Sequence, residues 1–181
     1  MVYCYKGVST MFRLAEEKDI KEIAKIYENI LNDEKSAPFT GWIKGIYPNE
    51  KVAADAYSNG ELYVYEENGQ ILASAKINKE QMPGYEKADW HCDAPDDEVM
   101  VLHTLVVEPS ASGKGLGRKF VKFYEDFALE NGCKYLRMDT NEINLPARTL
   151  YKKLGYDEVG IVRGDFCGIP NIGLVCLEKE L

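Results

Sequence analysis

Only two histidines occur in the sequence, twelve residues apart, and its five cysteines (Cys4, Cys92, Cys133, Cys167, Cys176) include no Cys-x-x-Cys pair. Neither pattern has metal-ligand spacing, so no metal is expected. The cysteines are odd in number and widely scattered, and they read as reduced thiols of a cytoplasmic protein. No apolar run approaches the roughly 20 residues that cross a bilayer, and no basic segment followed by an apolar one opens the chain, so no membrane association is expected. Positive charge is also scarce. Lys plus Arg number 22 against 30 Asp plus Glu, a net charge of −8, which argues against nucleic acid as a partner. Internal repeats and low-complexity tracts are missing as well.

What remains is a chain of 181 residues, enough for one domain with its own core. The pattern begins at Met11, so the domain is read as residues 11–181, with residues 1–10 as an N-terminal extension or disordered arm. Met11 to Leu14 reads as a short strand. Residues 15–31 place Ile20, Ile23, Ala24, Tyr27, Ile30 and Leu31 on one face of a helix. Pro38, Gly41, Gly45 and Pro48 then break the pattern before a second helix over 50–57, leaving a loop with Phe39, Trp42 and Tyr47. Such aromatics either line a pocket or cap the core.

Residues 61–66 and 70–77 alternate around Asn68-Gly69, a hairpin signal. A polar stretch from Lys79 to Glu98 follows, with seven acids and two lysines. It is either a solvated loop or one that favours a cationic acceptor. Strand 99–107, helix from Leu116, strand 135–139, helix 145–154 and strands 159–162 and 174–177 complete the order β-α-α-β-β-β-α-β-α-β-β. The last two strands flank a loop holding Phe166, Ile169 and Pro170. This is an α/β (α+β) mixed sheet with helices on both sides, and the β-α-β crossover makes strands 99–107 and 135–139 parallel.

The segment after Val107 carries the most chemistry. Gly113, Gly115 and Gly117 can turn the backbone sharply before the helix, whose unpaired N–H groups and dipole attract phosphate. Lys114, Arg118, Lys119 and Lys122 are four bases with no acid in the window 111–122. The spacing is not that of a Walker loop, because Gly115 follows Lys114 where Lys-Ser or Lys-Thr is required. Gly-x-Gly-x-Gly is not the Gly-x-Gly-x-x-Gly of a dinucleotide site either.

Two segments, Ser112-Gly113-Lys114-Gly115-Leu116-Gly117 and Asn144-x-x-Ala147-x-x-x-Tyr151-x-x-x-Gly155-Tyr156, resemble the GNAT superfamily of acyl-CoA-dependent N-acyltransferases. The resemblance runs from Met11 to Leu181, with Ser112 where the family carries Gln or Arg and Tyr156 where it carries Phe. It implies a single GNAT-type domain with a splayed central strand pair and acetyl-CoA as co-substrate. The coenzyme pyrophosphate is then expected on Ser112, Gly113, Lys114, Gly115, Leu116, Gly117 and Arg118. The pantetheine arm pairs with the backbone of Leu105 and Val107, and an amide near Leu105 or Val106 polarises the carbonyl. Asn144, Ala147 and Tyr151 complete the coenzyme contacts, Asn144 serving alternatively as a helix cap.

Acyl transfer needs a neutral amine and a proton for the leaving sulfur. Tyr151 is the expected acid, with a core aromatic as the other reading. His103, read on the same strand face as Leu105 and Val107, is the expected base, against a strand histidine satisfied by a hydrogen bond. Glu98, with Asp97, relays protons at the mouth of the strand. Trp42, Tyr47, Trp90 and Phe166 are the expected acceptor pocket. The implied activity is N-acetylation of a primary amine of a small molecule by direct attack in a ternary complex. The alternatives are a protein or peptide N-acetyltransferase and a non-catalytic acyl-CoA-binding module. Pairing of β-rich ends implies a homodimer.

Overall fold

The computed structural model describes residues 11–181 in full and only the backbone of 2–5 and 8–10. Met1, Lys6, Gly7 and the side chains of 1–10 lie outside the described residues, and the reading of 1–10 as an extension falls largely there. Strands β1 (Val2–Tyr5) and β2 (Val8–Leu14) lead into β3 (Leu62–Glu67), β4 (Gln70–Asn78), β5 (Val99–Val107), β6 (Tyr135–Asn141), β7 (Asp157–Phe166) and β8 (Ile169–Glu180). They form one mixed sheet in the order β1-β2-β3-β4-β5-β6-β8-β7. Helices α1 (Ile20–Asn32), α2 (Ala37–Thr40), α3 (Glu50–Ser58), α4 (Leu116–Glu130) and α5 (Leu145–Lys153) cover its two faces.

Local chemistry sets most boundaries. The helix expected from residue 15 starts at Ile20, because the Asp19 carboxylate accepts from the Glu16 N–H and the Arg13 guanidinium, closing a 3-10 turn first. Asn49 caps α3 by accepting from Val52 N–H. Asn68 and Gly69, with φ of 53° and 79°, make the tight turn between β3 and β4. The expected loop around Phe166, Ile169 and Pro170 is instead part of a long β7–β8 hairpin, turned at Cys167 and Gly168 with φ of 53° and 79°. That turn lacks Asn or Asp and so carries a weaker sequence signal.

The core lies on both sides of the sheet. On one face Leu116, Phe120, Val121, Tyr124 and Ala128 of α4 pack on Leu72, Ala75, Met100, Leu102, Leu136 and Met138. On the other, α1 and α3 bury Ile23, Ile26, Tyr27, Ala53 and Ala56 against Leu62, Val64 and Val106. Beside them Tyr85 covers Val99, Val101 and Cys176. The acidic segment between β4 and β5 is therefore anchored. Buried Arg137 donates to Gln81 and to the Cys92 carbonyl, its guanidinium 4.2 Å from the Trp90 ring centroid, and buried Glu178 accepts from the His91 and Cys92 N–H groups. Among the described residues no helix is long and apolar enough to cross a membrane.

Candidate active site

β5 and β6 run parallel from Val99↔Tyr135 to Leu102↔Met138 and then part. Beyond that fork β6 stays with β8 as far as Asn141↔Leu174, and β5 stays with β4 through Val106↔Ser74 and Val107↔Ala73. Among the described residues the backbone edge of β5 from His103 to Val107 has no strand partner on the β6 side. The Tyr124 hydroxyl, bonded to the carbonyls of Met100 (2.6 Å) and Arg137 (3.1 Å), ties the two strands together just before they separate.

A bulge sits at the same place. Ala75 of β4 stands opposite both Thr104 and Leu105 of β5, and Thr104 adopts φ of 51°. Left-handed backbone is costly for a β-branched residue, and bulges of this kind re-aim side chains beside functional sites. The Thr104 hydroxyl is hydrogen-bonded to the Tyr47 hydroxyl, which holds the residue from the α2–α3 segment.

The fork opens into a cavity of about 680 Å³. One wall is β5 from Leu102 to Val107, the other Asp139, Thr140 and Asn141 with Asn144, Ala147 and Tyr151 of α5. Phe39, Trp42 and Tyr47 border it from the α2–α3 segment, and Phe166, Cys167 and Ile169 from the β7–β8 hairpin. The segment approaches β6 so closely that a Cβ at Gly41 would sit 2.0 Å from Asn141 Nδ2.

At one edge Ser112 lines the cavity, and the glycine turn continues from it. Gly113 and Gly115 have φ of 79° and 74°, with open space where a Cβ would be. The first intrahelical bond of α4 runs from Lys119 N–H to Gly115 O at 3.0 Å, so the N–H groups of Leu116, Gly117 and Arg118 precede it. Lys114, Arg118 and Lys119 are exposed around them, while Lys122 is paired with Asp126. The Leu116 side chain is buried in the core, leaving its amide as the group it can offer. Gly117 lets α4 approach α5, since a Cβ there would lie 3.2 Å from Leu150 Cδ2.

Tyr151 lines the cavity and is 7% exposed, and its hydroxyl makes no hydrogen bond among the described residues. Burial, with the nearby Asp139 carboxylate, pushes its phenol up, so it holds its proton at neutral pH. Asn144 caps α5, accepting from Ala147 N–H, while also lining the cavity. Of the four expected acceptor aromatics, Trp42, Tyr47 and Phe166 line the cavity. Trp90 does not: its indole N–H donates to the Tyr85 carbonyl and its ring stacks on Arg137, away from the fork.

Two more expectations need correction. Glu98 is exposed at the start of β5, the end opposite the fork, and does not line the cavity. Five residues of extended chain, roughly 16 Å, separate it from His103. His103 does line the cavity, but not on the face of Leu105 and Val107. Those two pack with Leu102 on the α4 side, because the extra residue in the bulge reverses the alternation after His103. The His103 ring is bonded to Asn78 Oδ1 through Nε2 (2.9 Å), and burial and then Lys76 lower its pKa to about 4. A neutral imidazole so weakly basic is a poor proton acceptor at neutral pH.

Asp139 is the functional candidate that sequence reasoning missed. It is the first residue of β6 beyond the fork and lines the cavity, and its Oδ2 accepts from the Tyr85 hydroxyl at 2.8 Å. Burial raises its pKa to about 6, with the Tyr85 bond opposing the shift.

Residues 24–156 match the profile of the Acetyltransferase (GNAT) family. An uncharacterized N-acetyltransferase of Bacillus subtilis (strain 168) is 29% identical over 97 residues, 54% of this chain and 58% of that protein. Among solved structures, an acetyltransferase of the GNAT family from Streptococcus agalactiae superposes with a TM-score of 0.79 at 22% identity, covering 100% of this chain and 99% of that one. The Salmonella typhimurium protein yncA, solved with its cofactor acetyl-CoA, gives 0.66 at 20% identity over 95% and 94% of the two chains. With the profile spanning most of the chain, and with the forked strands and α5 motif lining one cavity beside the glycine turn, the protein belongs to the GNAT family of acetyltransferases.

Proposed function

We propose that the chain is an acetyl-CoA-dependent N-acetyltransferase that transfers the acetyl group to a primary amine of a small molecule by direct attack in a ternary complex. The fork carries this reading: an unpaired strand edge runs from a cationic glycine turn to a cavity bordered at its far end by aromatic side chains. The residues present fit the coenzyme. Backbone amides of Gly113, Gly115, Leu116, Gly117 and Arg118, with Lys114 and Arg118 around them, would hold its pyrophosphate in the manner of helix N-termini. The free backbone of Leu105 and Val107 would hold the pantetheine arm, with Val106, Asn144 and Ala147 bordering it. A bound acetyl-CoA supplies an acyl group activated as a thioester. The amides exposed at the bulge near Leu105 or Val106 are placed to polarise a carbonyl, and the Tyr151 hydroxyl holds the proton for a departing sulfur.

Direct attack is favoured over a cysteine-bound acyl group. Cys167 borders the cavity, but burial and then the Asp139 carboxylate push its thiol up, away from the thiolate that a nucleophile requires. The α2–α3 segment and the β7–β8 hairpin border the acceptor end, which favours a small amine over a peptide chain. Titration calorimetry with coenzyme A and an acetyl-CoA turnover assay over a panel of small amines and peptides test the reading. Coenzyme binding with turnover of small amines is expected. Absence of coenzyme A binding by the purified protein would sink it.

A further inference from the structure

The acidic group in the fork cavity has a task that the coenzyme side of the site does not explain. Asp139 leaves the α4 face, where Met138 packs in the core, and points to the side of Tyr85 and Cys176. The cavity it lines mixes apolar and aromatic side chains, Phe166, Ile169 and Leu174 among them, with polar ones such as His103, Thr140 and Asn141. The titratable groups that face it are Tyr85 from the β4–β5 segment, Tyr47 from the α2–α3 segment, Cys167 and Cys176 from the β7–β8 hairpin, and Tyr151 from α5. None is a cation. Of its two carboxylate oxygens, Oδ2 is taken by Tyr85, and Oδ1 has no hydrogen bond among the described residues. Lys76 also lines the cavity, but it is paired with Glu61 and Glu80. A partly buried carboxylate with one free oxygen and no cation paired to it among the described residues is complementary to an ammonium group.

We propose that Asp139 receives the ammonium group of the acceptor and removes its proton, and that the acceptor is a primary monoamine carried on an apolar or aromatic body. This rests on the acyltransferase reading. The ammonium proton passes to Asp139 Oδ1, leaving R-NH2 and a carboxylic acid. The amine nitrogen forms the C–N bond to the acyl carbon as the C–S bond of the thioester breaks, and the sulfur takes the Tyr151 phenol proton. The surplus proton on nitrogen returns to Tyr151 through water, and Asp139 releases its own to solvent, so each turnover yields amide, thiol and one proton. The raised pKa of Asp139 suits it to hold that proton near neutrality, where His103 does not. Tyr85 acts as a positioning residue through its bond to Oδ2.

The probe is 2-phenylethylamine with acetyl-CoA, compared with putrescine, and coenzyme A binding is measured for every variant. Asp139→Asn keeps an acceptor for Tyr85 but cannot take a proton. It is expected to lower kcat/KM by roughly 100-fold or more, with the coenzyme A Kd within about twofold of wild type. His103→Gln is expected to cost less than about tenfold. Tyr85→Phe removes the donor that holds the Asp139 pKa down, so the acid limb of the kcat/KM profile is expected to move to higher pH, a shift that simple loss of packing would not produce. The proposal is overturned if Asp139→Asn keeps turnover within about tenfold, if His103→Gln costs more than Asp139→Asn, if the Tyr85→Phe limb stays in place, or if putrescine is preferred. Loss of coenzyme A binding by wild type would instead remove the acyltransferase reading itself.

Discussion

Asp139 and His103 are displaced from their ordinary pKa values toward each other, and the signs have a consequence for stability. The Asp139 carboxyl titrates at about 6 in the folded chain against 3.8 ordinarily, so its contribution is full below about pH 4 and is lost as pH rises through about 6. The His103 imidazole titrates at about 4 against 6.5, so the unfolded chain takes up a proton first and stability falls as pH drops from about 6.5 to 4. The two slopes oppose each other in one window. Asp139→Asn should therefore raise the thermal midpoint relative to wild type by a margin that grows between about pH 4 and 6 and then levels off. His103→Gln should raise it by a margin that grows as pH falls through the same interval, and calorimetric scans at several pH values would show both trends or refute them. At Tyr151 the expected change is kinetic. Tyr151→Phe keeps the ring in its buried place against Tyr156 and loses the proton, so turnover should fall by roughly 100-fold with coenzyme A affinity kept.

Among elements, β5 does the most. Its first four residues are core strand paired with β6, and on that side its last five become a free edge where the fork and the bulge coincide. Tyr124 of α4 secures that transition. Tyr124→Phe would leave both carbonyls it joins without their buried partner, costing about 1–3 kcal/mol, readable as a lower denaturation midpoint with an unchanged m-value. The α2–α3 segment is positioned as closely. Any Cβ at Gly41, where φ is +68°, meets the Asn141 side chain, so Gly41→Ala strains the turn and must displace that side chain or the segment itself. The acceptor KM should then rise more than that of acetyl-CoA, because Trp42 and Tyr47 ride on this segment while the glycine turn does not. Equal changes in the two constants would contradict the assignment of the segment to the acceptor side.

Taken whole, the molecule is acidic, with a cationic edge at the start of α4. Coenzyme A should therefore bind more weakly as salt rises, and Arg118→Glu should raise its Kd with little effect on the thermal midpoint of the free protein, since Arg118 is exposed. Calorimetric titrations at low and high ionic strength check both. Much of this architecture is legible along the chain. Apolar period located α1 and α4, Asn-Gly marked the β3–β4 turn, and the glycine turn with the Asn144 to Tyr156 segment pointed to one family, because each of these signals is local. Other features escaped for a common reason. In β6, Tyr135, Arg137 and Asp139 alternate with Leu136 and Met138 and look like a solvent-facing edge of polar residues, yet the 79–98 segment folds over that face and buries Arg137 to 7% exposure. The acid that borders the cavity was therefore hidden in an ordinary alternation. Likewise the bulge at Thr104 leaves no mark in Leu-His-Thr-Leu-Val-Val, since it arises from pairing with β4, and it alone turned His103 away from Leu105 and Val107. By itself the sequence determined most of the elements, the family and the glycine turn before α4, because periodicity, turn chemistry and spacing act over a few residues. The cavity's electrostatics were decided only by the tertiary structure, because burial and strand register depend on residues far apart in the chain.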